Sequence, residues 1–231
     1  MAIFALVYGT AQSTATTFLP QIIGRFGYST VKTNLLVLSN SLIMPPILIL
    51  PSLTVPCFVV ATLWLYLNAW LSDHFRQRAY FLAGALCTTL IGCIILAAIP
   101  LHSIAPGYFA CFLIEMGAFV PTAMFHSWHN NNDAGENSRA FRTGALTFAA
   151  NAGSLISSNI FLTTWAPKYE KALIISAALQ VLGIVVALGL RTQMAMTNKK
   201  RNREQGVSWT SEDVATAEAR DPSSPQFRFF L

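Results

Sequence analysis

Along the chain, long apolar runs alternate with short polar breaks, and the runs have the length of membrane crossings. A hydrocarbon layer of about 30 Å needs roughly 20 largely apolar residues per helical crossing. Six stretches meet that length, at 1–19, 54–71, 79–99, 108–128, 143–162 and 172–190. The pattern predicts an all-α, polytopic membrane protein, with a helical bundle over 1–190 and a polar, mobile tail over 191–231. One region resists this division. From 35 to 71 the chain is apolar for longer than one crossing requires, yet Pro45, Pro46, Pro51 and Pro56 forbid a single straight helix. Residues from about 37 to 53 therefore read as an irregular insertion before the second crossing.

The polar residues inside the runs are unevenly placed. In the fourth crossing Glu115, Thr122, His126 and His129 fall within an arc of roughly 60° on an ideal helix, with Trp128 on the opposite side. Pro121 removes a backbone hydrogen bond there and predicts a bend near Glu115. A carboxylate held in a bilayer is a candidate proton carrier, or else half of a structural pair with a base elsewhere. The first crossing carries Thr10, Gln12, Ser13, Thr14 and Thr17, which either face protein or a cavity or bond back to their own helix. The fifth has Gly144, Thr147, Asn151, Ser154 and Ser158 at spacings of three and four, a stripe suited to close helix packing or to solute contact. Asn151 stands out, because an amide in mid-membrane must find partners. In the third and sixth crossings Thr88, Thr89, Ser176 and Gln180 are nearly the whole polar content, so these two read as outer, lipid-facing helices around a central aqueous path.

Composition agrees with the pattern: 54% hydrophobic against 11% charged residues, with mean hydropathy +0.50, excludes an ordinary soluble domain. The first run lacks a basic leader and a cleavage site, which disfavours a signal peptide. The net charge of +5 is distributed by side. Arg76, Arg78, Arg139, Arg142, Arg191, Lys199, Lys200, Arg201 and Arg203 fall on one side of the predicted membrane and Arg25, Lys32, Lys168 and Lys171 on the other. The richer side is expected to be cytoplasmic, with the C-terminal tail; nothing in this distribution suggests a nucleic-acid partner. Asp73, Arg76 and Arg78, in the short link after the second crossing, are candidates for ion pairs that lock one conformation across neighbouring helices. Cys57, Cys87, Cys93 and Cys111 all lie inside apolar runs, as small packing residues rather than a disulfide framework. Trp128 is expected at the headgroup boundary, and the two histidines near it as interfacial side chains. A remote alternative uses His126 and His129, with Asp133 and Glu136 following, as a membrane metalloenzyme site. A metal needs three or four convergent ligands, so no metal and no cofactor is expected.

Several local matches run through the chain in order: Leu19-Pro20 to Gly27-Tyr28-Ser29, Asn34-Leu35-Leu36, Ser72-Asp73 with Arg78, Tyr108-Phe109, Trp128 with Asn131 and Asn132, Arg139, Asn151-Ala152-Gly153, Ala166-Pro167-Lys168-Tyr169 and Phe227-Arg228-Phe229-Phe230-Leu231. On these residues the chain resembles the C-terminal, six-helix half of a major facilitator superfamily transporter, and most closely the fungal allantoate permease group with its nicotinate, pantothenate and biotin permeases. It departs from that pattern at about 37–53, which look inserted, and at Ser154, where a second glycine is usual. The resemblance implies transport rather than enzymatic catalysis: proton-coupled uptake of a small, often anionic organic solute by a multi-pass protein of the plasma membrane. Glu115, Thr122, Asn151 and Thr14 are then the candidate substrate and proton pathway, and the resemblance implies a partner N-terminal six-helix half, since two halves rock about a midplane site. The alternative is a non-transporting membrane fragment or partner subunit.

Overall fold

The computed structural model describes residues 1–18, 55–100, 103–133, 135–166, 168–210 and 224–231. Among them lie six α-helices and no strand: α1 (Ala2–Ser13), α2 (Val55–Phe75), α3 (Arg78–Ala98), α4 (Ile104–Asn131), α5 (Glu136–Ile160) and α6 (Glu170–Gln205). The expected all-α fold is thus the observed one. The proposed insertion at 37–53 and the prolines Pro45, Pro46 and Pro51 lie outside the described residues. By length and composition α3, α4 and α6 are sufficient to cross a membrane.

Local chemistry explains the helix ends. Arg76 takes a left-handed φ of 55°, which stops α2 and turns the chain within two residues into α3. After Ser13, α1 widens into a π-helical turn, Thr14–Phe18, that continues its direction of travel. α4 stays helical through Pro121. α6 ends at Gly206, whose φ of 65° is the left-handed closing conformation that glycine adopts without penalty. This last helix corrects the expected tail. No Gly or Pro intervenes between Arg191 and Gln205, and Lys200 pairs with Glu204 one turn on at 3.8 Å, so 191–205 extend the sixth helix well beyond membrane length.

α3 packs along both α4 and α6, α1 along α5, and α2 along α4. One side of α3 is packed, with Leu82, Ala85, Leu86, Thr89, Gly92, Cys93 and Leu96 buried, while Tyr80, Ile91 and Ile94 on its other side are exposed and leave the lipid-facing side that an outer helix requires. Its small residues allow the approach, since a Cβ at Gly92 would meet Ala110 and Ile114 of α4, and one at Gly117 of α4 would collide with Ala85 and Thr89. Thr88 and Thr89 turn back onto the Ala85 carbonyl. α1 and α5 meet as closely, where a Cβ at Gly153 would run into the Leu6 carbonyl and one at Gly9 into that of Ala150. The core gathers in two layers, one around Cys93, Leu96, Cys111, Ile114 and Leu173, the other around Phe4, Leu82, Leu86, Phe125 and Trp128. None of the four cysteines is joined in a disulfide.

Candidate functional site

The face predicted on α4 exists, and it looks onto α1 and α2. Glu115 stands eleven residues in from Ile104, hence about 17 Å along the helix at 1.5 Å per residue, close to the middle of a bilayer-spanning segment. That is deeper than a start at Tyr108 would place it. The side chain is fully buried and lies near Cys57 of α2. Neither carboxylate oxygen has a hydrogen-bond partner among the described residues, and no ion pair among them includes it. The structural-pair reading therefore gains no partner there.

Two turns on, Thr122 Oγ1 donates to Gln12 Oε1 of α1 at 3.1 Å. One more turn brings His126, whose Nε2 lies 3.0 Å from the Tyr8 hydroxyl, and then His129, 5.5 Å away between ring centroids. Tyr8 and Gln12, one turn apart on α1, share the face that meets this column. His129 is buried, with both ring nitrogens unpartnered. Among the described residues no third ligand joins the two histidines to make a metal group. The column ends just past the helix at Asp133, which accepts from Ser138 Oγ at 2.9 Å and pairs with Arg142 at 3.1 Å, while its backbone carbonyl accepts from Arg139 Nε at 2.8 Å. Positions 115, 122, 126 and 129 share one helical face, and Asp133 follows past the helix end, so the polar residues run from mid-membrane carboxylate to charged exit.

The other predicted residues separate into two groups. Thr14 is sealed in the α1–α5 seam: its hydroxyl donates to the Thr10 carbonyl at 2.8 Å and lies 3.1 Å from Ser157 Oγ. Thr10 likewise bonds both to its own helix, at Leu6, and across to the Gly153 carbonyl. These hydroxyls serve both expected roles at once, and neither borders the α4 column. On α5 the residues that pack are Leu146, Gly153, Ser157 and Ile160. Gly144, Thr147, Asn151 and Ser158 sit exposed beside them. The small polar stripe thus faces away from its own bundle, and Asn151 does not find its surroundings within it.

The Asp73, Arg76 and Arg78 link carries an ion pair between neighbouring helices, Asp73 of α2 with Arg78 of α3. Arg78 reaches Asp73 at 2.7 Å, bonds the Ser127 hydroxyl of α4 and lies over the Phe230 ring. Trp128 overturns its expected place at the headgroup boundary, being buried with its indole N–H donated to the Phe230 carbonyl at 2.8 Å. Sequence reasoning missed this engagement of the last residues. The signal was the run of aromatic residues in an otherwise polar tail.

No protein-family model and no solved structure matches the chain. Curated relatives do. The chain is 41% identical over 223 residues to the MFS-type transporter efuF of Hormonema carpetanum, covering 96% of this chain and 42% of that protein. It is 36% identical over 232 residues to the major facilitator-type transporter hxnP of Emericella nidulans, covering 100% and 43%. The high-affinity nicotinic acid transporter of Saccharomyces cerevisiae is more distant, 26% identical over 218 residues. The chain thus spans about two fifths of the length of the first two.

Proposed function

From this relationship to major facilitator-type transporters, we propose that the chain forms one six-helix half of a membrane transporter for a small organic anion, with proton coupling through Glu115. The observation that carries the coupling is the carboxylate itself: fully buried at mid-helix, with no bonding partner among the described residues, at the head of a polar column that runs to Asp133. A buried carboxylate without a counter-charge is held at a cost that a structural role does not require. Asn151 and the exposed stripe of α5 are the proposed contacts for solute, and the Asp73, Arg76 and Arg78 link, with the arginine-bearing start of α5 and end of α6, is proposed to face the cytoplasm at the plasma membrane. The name of the nicotinic acid transporter motivates a pyridine carboxylate as the first solute to try.

The test is uptake of radiolabelled nicotinate by yeast lacking its own nicotinic acid transporter, with the chain expressed alone and with the part of the Hormonema relative that the alignment leaves uncovered. Uptake driven by an inward proton gradient is expected with the second half present. Glu115→Gln should lower it by about tenfold or more while exchange of solute down its own gradient survives, since the amide keeps the shape but cannot carry a proton. Unchanged dependence on the gradient would make Glu115 structural. No uptake of any carboxylate in the paired state would favour a non-transporting partner subunit.

A further inference from the structure

Residues 227–231 are bound as a peptide in a groove made by three helix ends, and the bonds are of a recognisable kind. Asn198 of α6 donates through Nδ2 to the Phe229 carbonyl and accepts the Phe229 N–H on Oδ1, both at 2.8 Å. Asn132, at the end of α4, does the same for Phe230, at 3.0 and 2.7 Å. Two side-chain amides thus copy the two-way pairing of a sheet neighbour on consecutive residues, which fixes an extended backbone whatever its side chains. Around them the Trp128 indole N–H also takes the Phe230 carbonyl, Arg201 takes that of Phe227 at 2.9 Å, and the Arg78 N–H takes that of Leu231 at 3.0 Å. Side-chain selection is added by aromatic seats. Phe227 is buried against Phe229, and the guanidinium groups of Arg201 and Arg78 cover Phe229 and Phe230. Arg228, buried, is held by Asn202 Oδ1 at 2.6 Å and Gln205 Oε1 at 2.7 Å.

The groove spans the start of α3, the end of α4 and the extension of α6, and it explains why α6 continues so far: Asn198, Arg201, Asn202 and Gln205 all lie beyond membrane length. We propose that this groove is a peptide-binding site occupied by the chain's own Phe227–Leu231 segment, which acts as a releasable latch fastening α3, α4 and α6 at one end. Arg78 is where the latch reaches the Asp73–Arg78 link, because one residue contacts Leu231, Phe230, Ser127 and Asp73 together. Release of the segment therefore loosens the link between α2 and α3. The proposal does not depend on transport.

Maleimide labelling of the full chain in membranes tests it. A cysteine at the buried position in Phe227→Cys should react about tenfold more slowly than one at the exposed neighbour in Gln226→Cys, because it reacts only on local opening. Adding Asn132→Ala and Asn198→Ala should remove that difference and speed tryptic cleavage at Arg76 by about tenfold. Buried Cys93 and Cys111 report the fold by staying unlabelled. Should the double variant unfold, Asn198→Asp, which keeps the acceptor for Phe229 and loses the donor, is expected to give an intermediate rate. Equal labelling at 226 and 227 in the parent would overturn the docking. Protection that survives the amide variants would overturn the role of the amides, and unchanged cleavage at Arg76 would overturn the latch.

Discussion

α4 carries two buried polar sites that could hardly be handled more differently. At its centre Glu115 has both oxygens unpartnered, and at its end Asn132 has every polar atom of its side chain used, against Trp128 and Phe230. The centre is a charged type and the end a neutral one, so the less costly group received the complete hydrogen-bond set. Burial of a polar group is favourable only when its bonds are remade inside. A site where they are remade is stabilising; one where they are not is held in place by the rest of the fold and must be explained by what it does. The comparison assigns the end of α4 to structure and supports the role proposed for its centre.

The largest expected effect is at the structural end. Asn132→Ala removes bonds to the Trp128 carbonyl and to both backbone groups of Phe230, and leaves the Phe230 N–H without a partner, while the Phe230 carbonyl keeps the Trp128 indole N–H. At about 1–3 kcal/mol for the stranded N–H and about 1 kcal/mol for each bond lost elsewhere, a loss of roughly 3 kcal/mol is expected. Thermal unfolding in detergent, followed by reactivity of the buried cysteines, reads it; an unchanged midpoint would erase the contrast between the two sites. Trp128→Phe is the milder version. It keeps most of the ring among Phe125 and Leu82 but removes the indole N–H from a carbonyl that Asn132 still satisfies, so about 1 kcal/mol is expected by the same measurement. A loss as large as that of Asn132→Ala would mean that ring volume, not hydrogen bonding, holds the segment.

The column on α4 was legible in the sequence because a helix repeats every 3.6 residues: Glu115, Thr122, His126 and His129 needed no knowledge of their neighbours to be placed on one face. Which helix that face meets was not legible. Tyr8 and Gln12 belong to a helix more than a hundred residues away, and only packing pairs them with His126 and Thr122. The stripe on α5 failed more subtly. Gly153 and Ser157, the residues that pack, lie one position to the side of Gly144, Thr147, Asn151 and Ser158, which do not. A helix this rich in small residues offers two neighbouring stripes, and periodicity cannot choose between them. α3 was legible as an apolar helix with an exposed side, but which of its residues pack was not, and only the small residues at Gly92 and Ala85 hinted at close neighbours. The docked tail was hidden because its binding residues, Asn132 and Asn198, are separated by 66 positions in sequence and look like ordinary helix-end amides.

The smallest stability effect is expected at Glu115, and its size decides the comparison. Glu115→Gln is close to isosteric. It substitutes a neutral amide for a carboxyl group that makes no hydrogen bond among the described residues, so no bond is lost and no new partner is stranded. A change within about 1 kcal/mol, neutral or stabilising, is expected, because removing a buried ionisable group relieves desolvation. The equally isosteric Asn132→Asp is the control: it takes the donor from the Phe230 and Trp128 carbonyls and buries a carboxylate beside them, and should destabilise by about 2 kcal/mol or more. Two swaps between amide and acid, on one helix, are thus expected to differ in cost because one site is built around its side chain and the other is not. If Glu115→Gln lowers the unfolding midpoint as far as Asn132→Asp does, then Glu115 holds a bonding partner in the membrane. It would then be a strut of the bundle, and the proton path would have to be sought on another helix.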